Sequence, residues 1–131
     1  TLVRGLPGSN AQLPAAVNLK VYHHLPSTEL EQQINKAGII LCRSGYSSVM
    51  DLVALGKRAI LVPTPGQTEQ EYLAKSLMEK QLFYSCSQDE FDLNDVYNNA
   101  LLFPSKTIDI DFETLNERVI IDWVNYLKAL K

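Results

Sequence analysis

Two apolar quartets, Ile39-Ile40-Leu41-Cys42 and Ala59-Ile60-Leu61-Val62, interrupt a chain that elsewhere mixes apolar and polar positions. Runs of that kind mark strands covered on both faces, the condition of a parallel sheet. Shorter runs at Thr1–Arg4, Leu19–Tyr22 and Leu82–Cys86 predict further strands. The intervals carry helical spacing and predict helices over Thr28–Ala37, Ser47–Leu55 and Thr68–Glu79. Thr28 with Glu31, Thr68 with Glu71, and Ser87 with Glu90 each match the reciprocal box that opens a helix. Gly56 suits the left-handed position that ends the second helix. A last helix, about Phe112–Ala129, sets Leu115, Val119, Trp123, Leu127 and Leu130 on one stripe. Gly5–Ala16 reads as a loop. Strands alternating with helices in this way predict an α/β fold.

A length of 131 residues allows one domain with a real core. A net charge of −3, with Lys and Arg dispersed, argues against nucleic acid as a partner. No apolar run reaches the roughly 20 residues needed to span a bilayer, and no signal-peptide pattern opens the chain. Cys42 and Cys86 each end a predicted buried strand, which suits small buried thiols better than a disulfide. The expected location is the cytoplasm, with the inner face of a membrane as the alternative. Because the chain opens at Thr1 on a predicted strand, it is expected to be part of a longer protein.

In an open parallel sheet, ligands sit beyond the carboxyl ends of the strands. The first stretch there is Arg43-Ser44-Gly45-Tyr46-Ser47-Ser48. Its turn would offer the amides of Tyr46, Ser47 and Ser48 to a phosphate, and Gly45 would let the ligand come close. Asp51, one turn in, could accept from a sugar diol. The same residues also suit a turn that binds nothing, with Ser48 as N-cap and Asp51 facing the helix dipole. The second stretch is Val62-Pro63-Thr64-Pro65-Gly66-Gln67 leading into Thr68-Glu69-Gln70-Glu71. Acids there are ordinary dipole partners, whereas Gln70 could both donate to and accept from hydroxyls. The third, His23-His24-Leu25, makes a poor metal site, since neighbours in a strand face opposite ways. A backbone contact to a base suits the end of that strand better. No Gly-x-Ser-x-Gly, Walker or Gly-x-Gly-x-x-Gly motif is present.

In sequence, residues 39–77 resemble the C-terminal, donor-binding domain of GT-B glycosyltransferases, in the MurG-like family 28. The shared elements, in order, are the apolar strand, the Arg-Ser-Gly turn, a helix with an acid, the Pro-containing turn and the Glu-Gln pair. The resemblance implies a Rossmann-like three-layer sandwich with a mainly parallel sheet, whose first strand would be absent here. It implies a single nucleotide-sugar-binding domain over 1–131, belonging to a two-domain hexosyltransferase that inverts the anomeric centre.

By the same resemblance, Asp51 holds the ribose, with a shorter reach than the family's usual Glu. Arg43, Ser44, Gly45, Tyr46, Ser47 and Ser48 meet the diphosphate and sugar, and Glu69 and Gln70 read the sugar. The Leu25 backbone meets uracil. Leu73 stands where the family has an Asn that contacts the sugar. The catalytic base would lie in a separate acceptor domain, so this chain alone is expected to be inactive. No metal or other cofactor is implied, and the nucleotide sugar is the substrate. The expected partners are the missing acceptor domain or a partner subunit, and a second copy through unpaired sheet edges. Two alternatives remain open: a one-domain subunit that needs a partner chain, and a domain that has kept the fold and lost the ligand.

Overall fold

The computed structural model describes residues 1–8, 11 and 17–106. The predicted helix Phe112–Ala129 lies outside the described residues, as does most of the loop Gly5–Ala16. The chain divides into two compact units, Thr1–Gly38 and Ile39–Lys131.

The first unit holds strands β1 (Leu2–Val3) and β2 (Val21–Tyr22), paired in parallel, and helix α1 (Ser27–Lys36). Leu6 N donates to the His23 carbonyl at 2.8 Å and prolongs the contact past the strand ends. Thr28 does not open the helix as its box predicts. Pro26 occupies the cap position at φ −56° and no side chain caps the helix; proline's fixed φ starts it one residue earlier. His23 Nε2 lies 2.7 Å from the Ala11 carbonyl, and its Nδ1 lies 3.4 Å from Arg4 Nη1. That geometry engages both ring nitrogens with protein, Nε2 placed to donate to the Ala11 carbonyl and Nδ1 to accept from Arg4. Leu25, between β2 and α1, is 5% exposed.

The second unit contains the two apolar quartets. β3 (Ile40–Cys42), β4 (Ala59–Leu61) and β5 (Tyr84–Ser85) form a parallel sheet in the order β3-β4-β5. Ile40 stands opposite Ala59, Cys42 opposite Leu61, and Ile60 opposite Tyr84. Helices α2 (Tyr46–Ala54), α3 (Thr68–Glu79) and α4 (Leu93–Leu102) connect and follow the strands.

Alternation along β4 sorts the core into two faces. Ala59 and Leu61 pack with Val49, Leu52 and Val53 of α2, Ala74 of α3, and Phe83. Ile60 and Val62 pack with Val96 and Ala100 of α4. Helices therefore cover both faces of β4 in three layers, which explains why its quartet is apolar throughout. In β3, Leu41 is 46% exposed, so the cover expected on both faces is not found there.

The helix ends show where local rules succeed and fail. Gly56 is left-handed at φ 59°, Gly56 N donates to the Val53 carbonyl and Lys57 N to the Leu52 carbonyl. This is the double bond of a Schellman end, as the glycine predicts. Gln81 does the same for α3 at φ 60° without being glycine. That end consumes Leu82 and Phe83, whose amides both donate to the Leu77 carbonyl, and so shortens the predicted strand Leu82–Cys86 to two residues. Ser87 and Glu90 make one of the two box bonds, Glu90 N donating to Ser87 Oγ at 3.3 Å. The Glu90 carboxylate accepts from the Ser87 hydroxyl at 2.9 Å rather than from the Ser87 amide. Those bonds close a turn, and α4 starts later, capped by Asp92 Oδ1 accepting from Asn94 N and Asp95 N at 2.9 and 3.1 Å.

Cys42 and Cys86 are free thiols that pack on opposite faces of the sheet. Burial pushes the Cys42 thiol up to about 11. The Cys86 thiol is also raised, by burial first and by the Glu90 carboxylate second. Among the described residues, no helix is long and apolar enough to cross a membrane.

Candidate functional site

The carboxyl ends of β3 and β4 lead directly into α2 and α3, and the expected site residues of the second unit lie on these two junctions. After Cys42 the chain turns at Arg43, Ser44 and Gly45 and enters α2 at Tyr46. Gly45 is the cap residue at φ −70° and ψ 143°. Having no side chain, it leaves the first amides of α2 without a side-chain cap. Ser48 is three residues inside the helix, so the expectation that it serves as the N-cap is not met. The glycine, not the serine, occupies the boundary. A Cβ built on Gly45 would meet nothing within 4 Å, and its φ is ordinary for any residue. The fold does not require glycine at this position.

Ser44 is 0% exposed, and its Oγ donates to the Gln70 carbonyl at 2.8 Å. It presents no surface to a ligand; it joins the turn before α2 to the first turn of α3. Tyr46, Ser47, Ser48 and Asp51 are all exposed. The Tyr46 ring is 63% exposed at the first position of α2.

At the second junction, Thr64-Pro65-Gly66-Gln67 forms a tight turn in which Gln67 N donates to the Thr64 carbonyl at 3.1 Å. Gly66 has φ 79°, the value a type II turn needs after proline. Thr68 is the first helical residue rather than the cap. Glu71, its box partner, instead accepts from Gly66 N at 2.9 Å. Gln70 Oε1 accepts from Thr64 N at 3.0 Å and its Nε2 donates to Gln67 Oε1. The Gln70 side chain is therefore built into the turn at both ends. Glu69 beside it is exposed. Leu73 is half-buried and packs on the core between α3 and the sheet, as its apolar character requires.

Arg43 crosses the strand ends. Its Nη1 donates to the Val62 and Pro63 carbonyls at 3.2 and 3.1 Å, and its Nη2 donates to Gln88 Oε1 at 2.7 Å. The resemblance grouped Arg43 with the diphosphate- and sugar-binding residues, and nothing in the sequence singled out Gln88. The two are 45 positions apart, and no local pattern links them.

The described residues contain no group of three or more His, Cys, Asp or Glu placed to hold a metal ion. A cavity of about 390 Å³ lies at the other, amino end of the strands, lined by Leu52, Arg58, Leu82, Phe83, Phe103 and Lys106 among others. Arg58 there donates to the Ala100 carbonyl at 2.8 Å and so finishes the last turn of α4. The cavity lies away from the uncapped helix and Arg43, and of the cations that line it Arg58 is committed to structure.

The arrangement at the carboxyl end can take an anion. It combines the uncapped amides of a nine-residue helix, a guanidinium bonded, among the described residues, to neutral acceptors, and an exposed carboxylate one turn along for hydroxyl donors.

The family described as "Glycosyltransferase family 28 C-terminal domain" matches residues 9–108. A UDP-N-acetylglucosamine–N-acetylmuramyl-(pentapeptide) pyrophosphoryl-undecaprenol N-acetylglucosamine transferase from Desulforudis audaxviator is 39% identical over 75 residues, 56% of this chain and 19% of the relative. The enzyme of the same name from Sulfurihydrogenibium sp. is 30% identical over 129 residues, 87% of this chain and 36% of the relative. The chain thus spans a minor part of the curated relatives it matches. The NMR solution structure of ALG13 is similar in fold, with a TM-score of 0.56 at 16% identity over 72% of this chain and 48% of that one.

Proposed function

The chain belongs to glycosyltransferase family 28, as its C-terminal domain, and on that premise we propose that it binds a uridine diphosphate sugar as the donor side of a sugar transfer. The observation that carries this reading is the entry to α2. A helix that starts from the carboxyl end of a buried strand, with a glycine cap and no side chain on its first amides, leaves those donors for a ligand. A diphosphate leaving group gains negative charge as the bond to the sugar breaks. Fixed amides and the positive end of the helix dipole stabilise that charge without having to reorganise.

In this reading the backbone of Gly45, Tyr46, Ser47 and Ser48 takes the diphosphate, with the two serine hydroxyls beside it. Asp51 accepts from the ribose hydroxyls. Glu69 is the exposed acid that meets the sugar. Ser44 and Gln70 hold the two junctions in register rather than touching the donor with their side chains. The relatives' names specify N-acetylglucosamine as the sugar transferred, and we extend that donor to this chain. Residues 1–131 would serve as the donor part of a larger assembly. Its acceptor side, and with it the catalytic base, would come from elsewhere in the polypeptide or from a partner subunit.

One observation favours the rival reading of a domain that has lost its ligand: Leu73 is packed into the core where the family pattern has a sugar-binding Asn. Calorimetric titration with UDP separates the two. Binding by the intact chain that weakens about fivefold or more in Asp51→Ala and in Ser48→Ala supports donor binding, about 1 kcal/mol being usual for one lost polar contact. A folded chain that takes up no UDP, and that still takes up none when extended upstream of Thr1, means that the ligand has been lost.

A further inference from the structure

The acceptors around Arg43 are unusual in kind. Its three hydrogen bonds go to the Val62 carbonyl, the Pro63 carbonyl and the Gln88 amide oxygen, and no carboxylate pairs with it among the described residues. A guanidinium needed only to tie strand ends together is served better by a carboxylate, which gives shorter, charge-assisted and often bidentate bonds. Acids are close by in sequence. Asp89 and Glu90 directly follow Gln88, and Glu90 is turned to the Ser87 hydroxyl at 2.9 Å. The neutral residue of the three is the one that reaches Arg43.

We propose that Gln88 is a positioning residue. It fixes Arg43 across the carboxyl ends of β3 and β4 while leaving its positive charge un-neutralised, so that the charge serves the diphosphate of the donor. The inference rests on the donor-binding reading and extends the site to the turn between β5 and α4, 45 residues away from Arg43 in the chain. Two requirements are met at once. The 2.7 Å bond to Gln88 and the two carbonyl bonds remove rotamer freedom from a long side chain before the ligand arrives. The neutrality of all three acceptors keeps the charge available.

The test uses Gln88→Glu, which preserves the acceptor and adds a charge. A merely structural role predicts that Gln88→Glu is as good as the parent or better, since its bond to Arg43 strengthens. A role in presenting charge predicts the reverse for anions. The 131-residue chain, Gln88→Glu and Gln88→Ala are titrated with UDP, uridine and inorganic diphosphate, and their melting temperatures are compared. The expected result is a melting temperature in Gln88→Glu no lower than that of the parent. Its affinity for UDP and for inorganic diphosphate falls about fivefold, the scale of one exposed charge pair, while uridine binding is unchanged. Gln88→Ala falls by less than Gln88→Glu.

Equal or tighter UDP binding in Gln88→Glu overturns the inference and leaves donor binding standing. Binding of inorganic diphosphate but not UDP by the parent overturns the nucleotide reading; a loss in Gln88→Glu then still upholds the part given to Gln88. A parent chain that binds neither anion overturns both.

Discussion

Ser44 Oγ donates to the Gln70 carbonyl at 2.8 Å, and through that one bond the turn that opens α2 is registered on the turn that opens α3. Ser44 is 0% exposed, so water cannot replace the hydroxyl. Ser44→Ala removes a buried hydroxyl and its bond to a carbonyl in the first turn of α3, which keeps its helical partner, at a cost of about 0.5–1.5 kcal/mol. Urea unfolding should show that loss, and UDP binding should weaken in the fraction that stays folded because the two junctions are no longer held together. A variant as stable as the parent would mean that the turns are fixed by packing alone.

Gly45 separates a requirement of the fold from a requirement of the ligand. Its φ is −70° and a Cβ there meets nothing within 4 Å, so Gly45→Ala should change stability by less than about 1 kcal/mol. The poorer cap and the stiffer unfolded chain act in opposite directions. Binding is a different matter, because the added methyl projects from the cap residue beside amides that a diphosphate must approach closely. UDP affinity in Gly45→Ala is expected to fall about tenfold, or about 1.4 kcal/mol, at unchanged melting temperature. Unchanged affinity would place the ligand elsewhere.

Cys42 gives a prediction in pH. Burial disfavours the thiolate and raises the folded value from 9.0 to about 11. Between those two values the unfolded chain has released its proton and the native chain has not. Stability should therefore decline as pH rises from about 9 towards about 11. The decline should be reduced in Cys42→Ala, measured by denaturant unfolding at fixed pH steps. Alkylation of Cys42 by iodoacetamide should be slow in the native chain at neutral pH, since the thiolate is the nucleophile.

What the sequence shows and what it conceals divide along physical lines. The apolar quartets announced β3 and β4, and in β4 the reason holds in full, because a strand covered on both faces leaves no polar alternation; Leu41 of β3 is apolar yet exposed. Gly56 announced the end of α2 because one residue suffices to read a left-handed position. Gln81 performs the same task for α3 at φ 60°, and no composition rule flags it. Ser87 and Glu90 bond to each other without a helix following, because the pattern specifies a turn and the helix depends on Asp92. At the site, the Arg-Ser-Gly turn was legible, and so was the exposed acid on α2. Two side-chain roles were not. Ser44 and Gln70 look like ligand-facing polar residues in the sequence, yet Ser44 is taken up by a carbonyl brought in by tertiary packing and Gln70 by the turn just before it. Gln88 could not be found at all, since its only signal is a contact with a residue far away in the chain.

The central claim is that the open end of α2 is where a nucleoside diphosphate sits. The most direct measurement is a titration of the isotope-labelled chain with UDP, followed through its backbone amide resonances. The account predicts that the largest, saturable shifts fall on Gly45, Tyr46, Ser47 and Ser48, with Asp51 and Gln88 moving with them. Shifts gathered instead around Arg58, Phe83 and Lys106, at the amino end of the sheet, would contradict it.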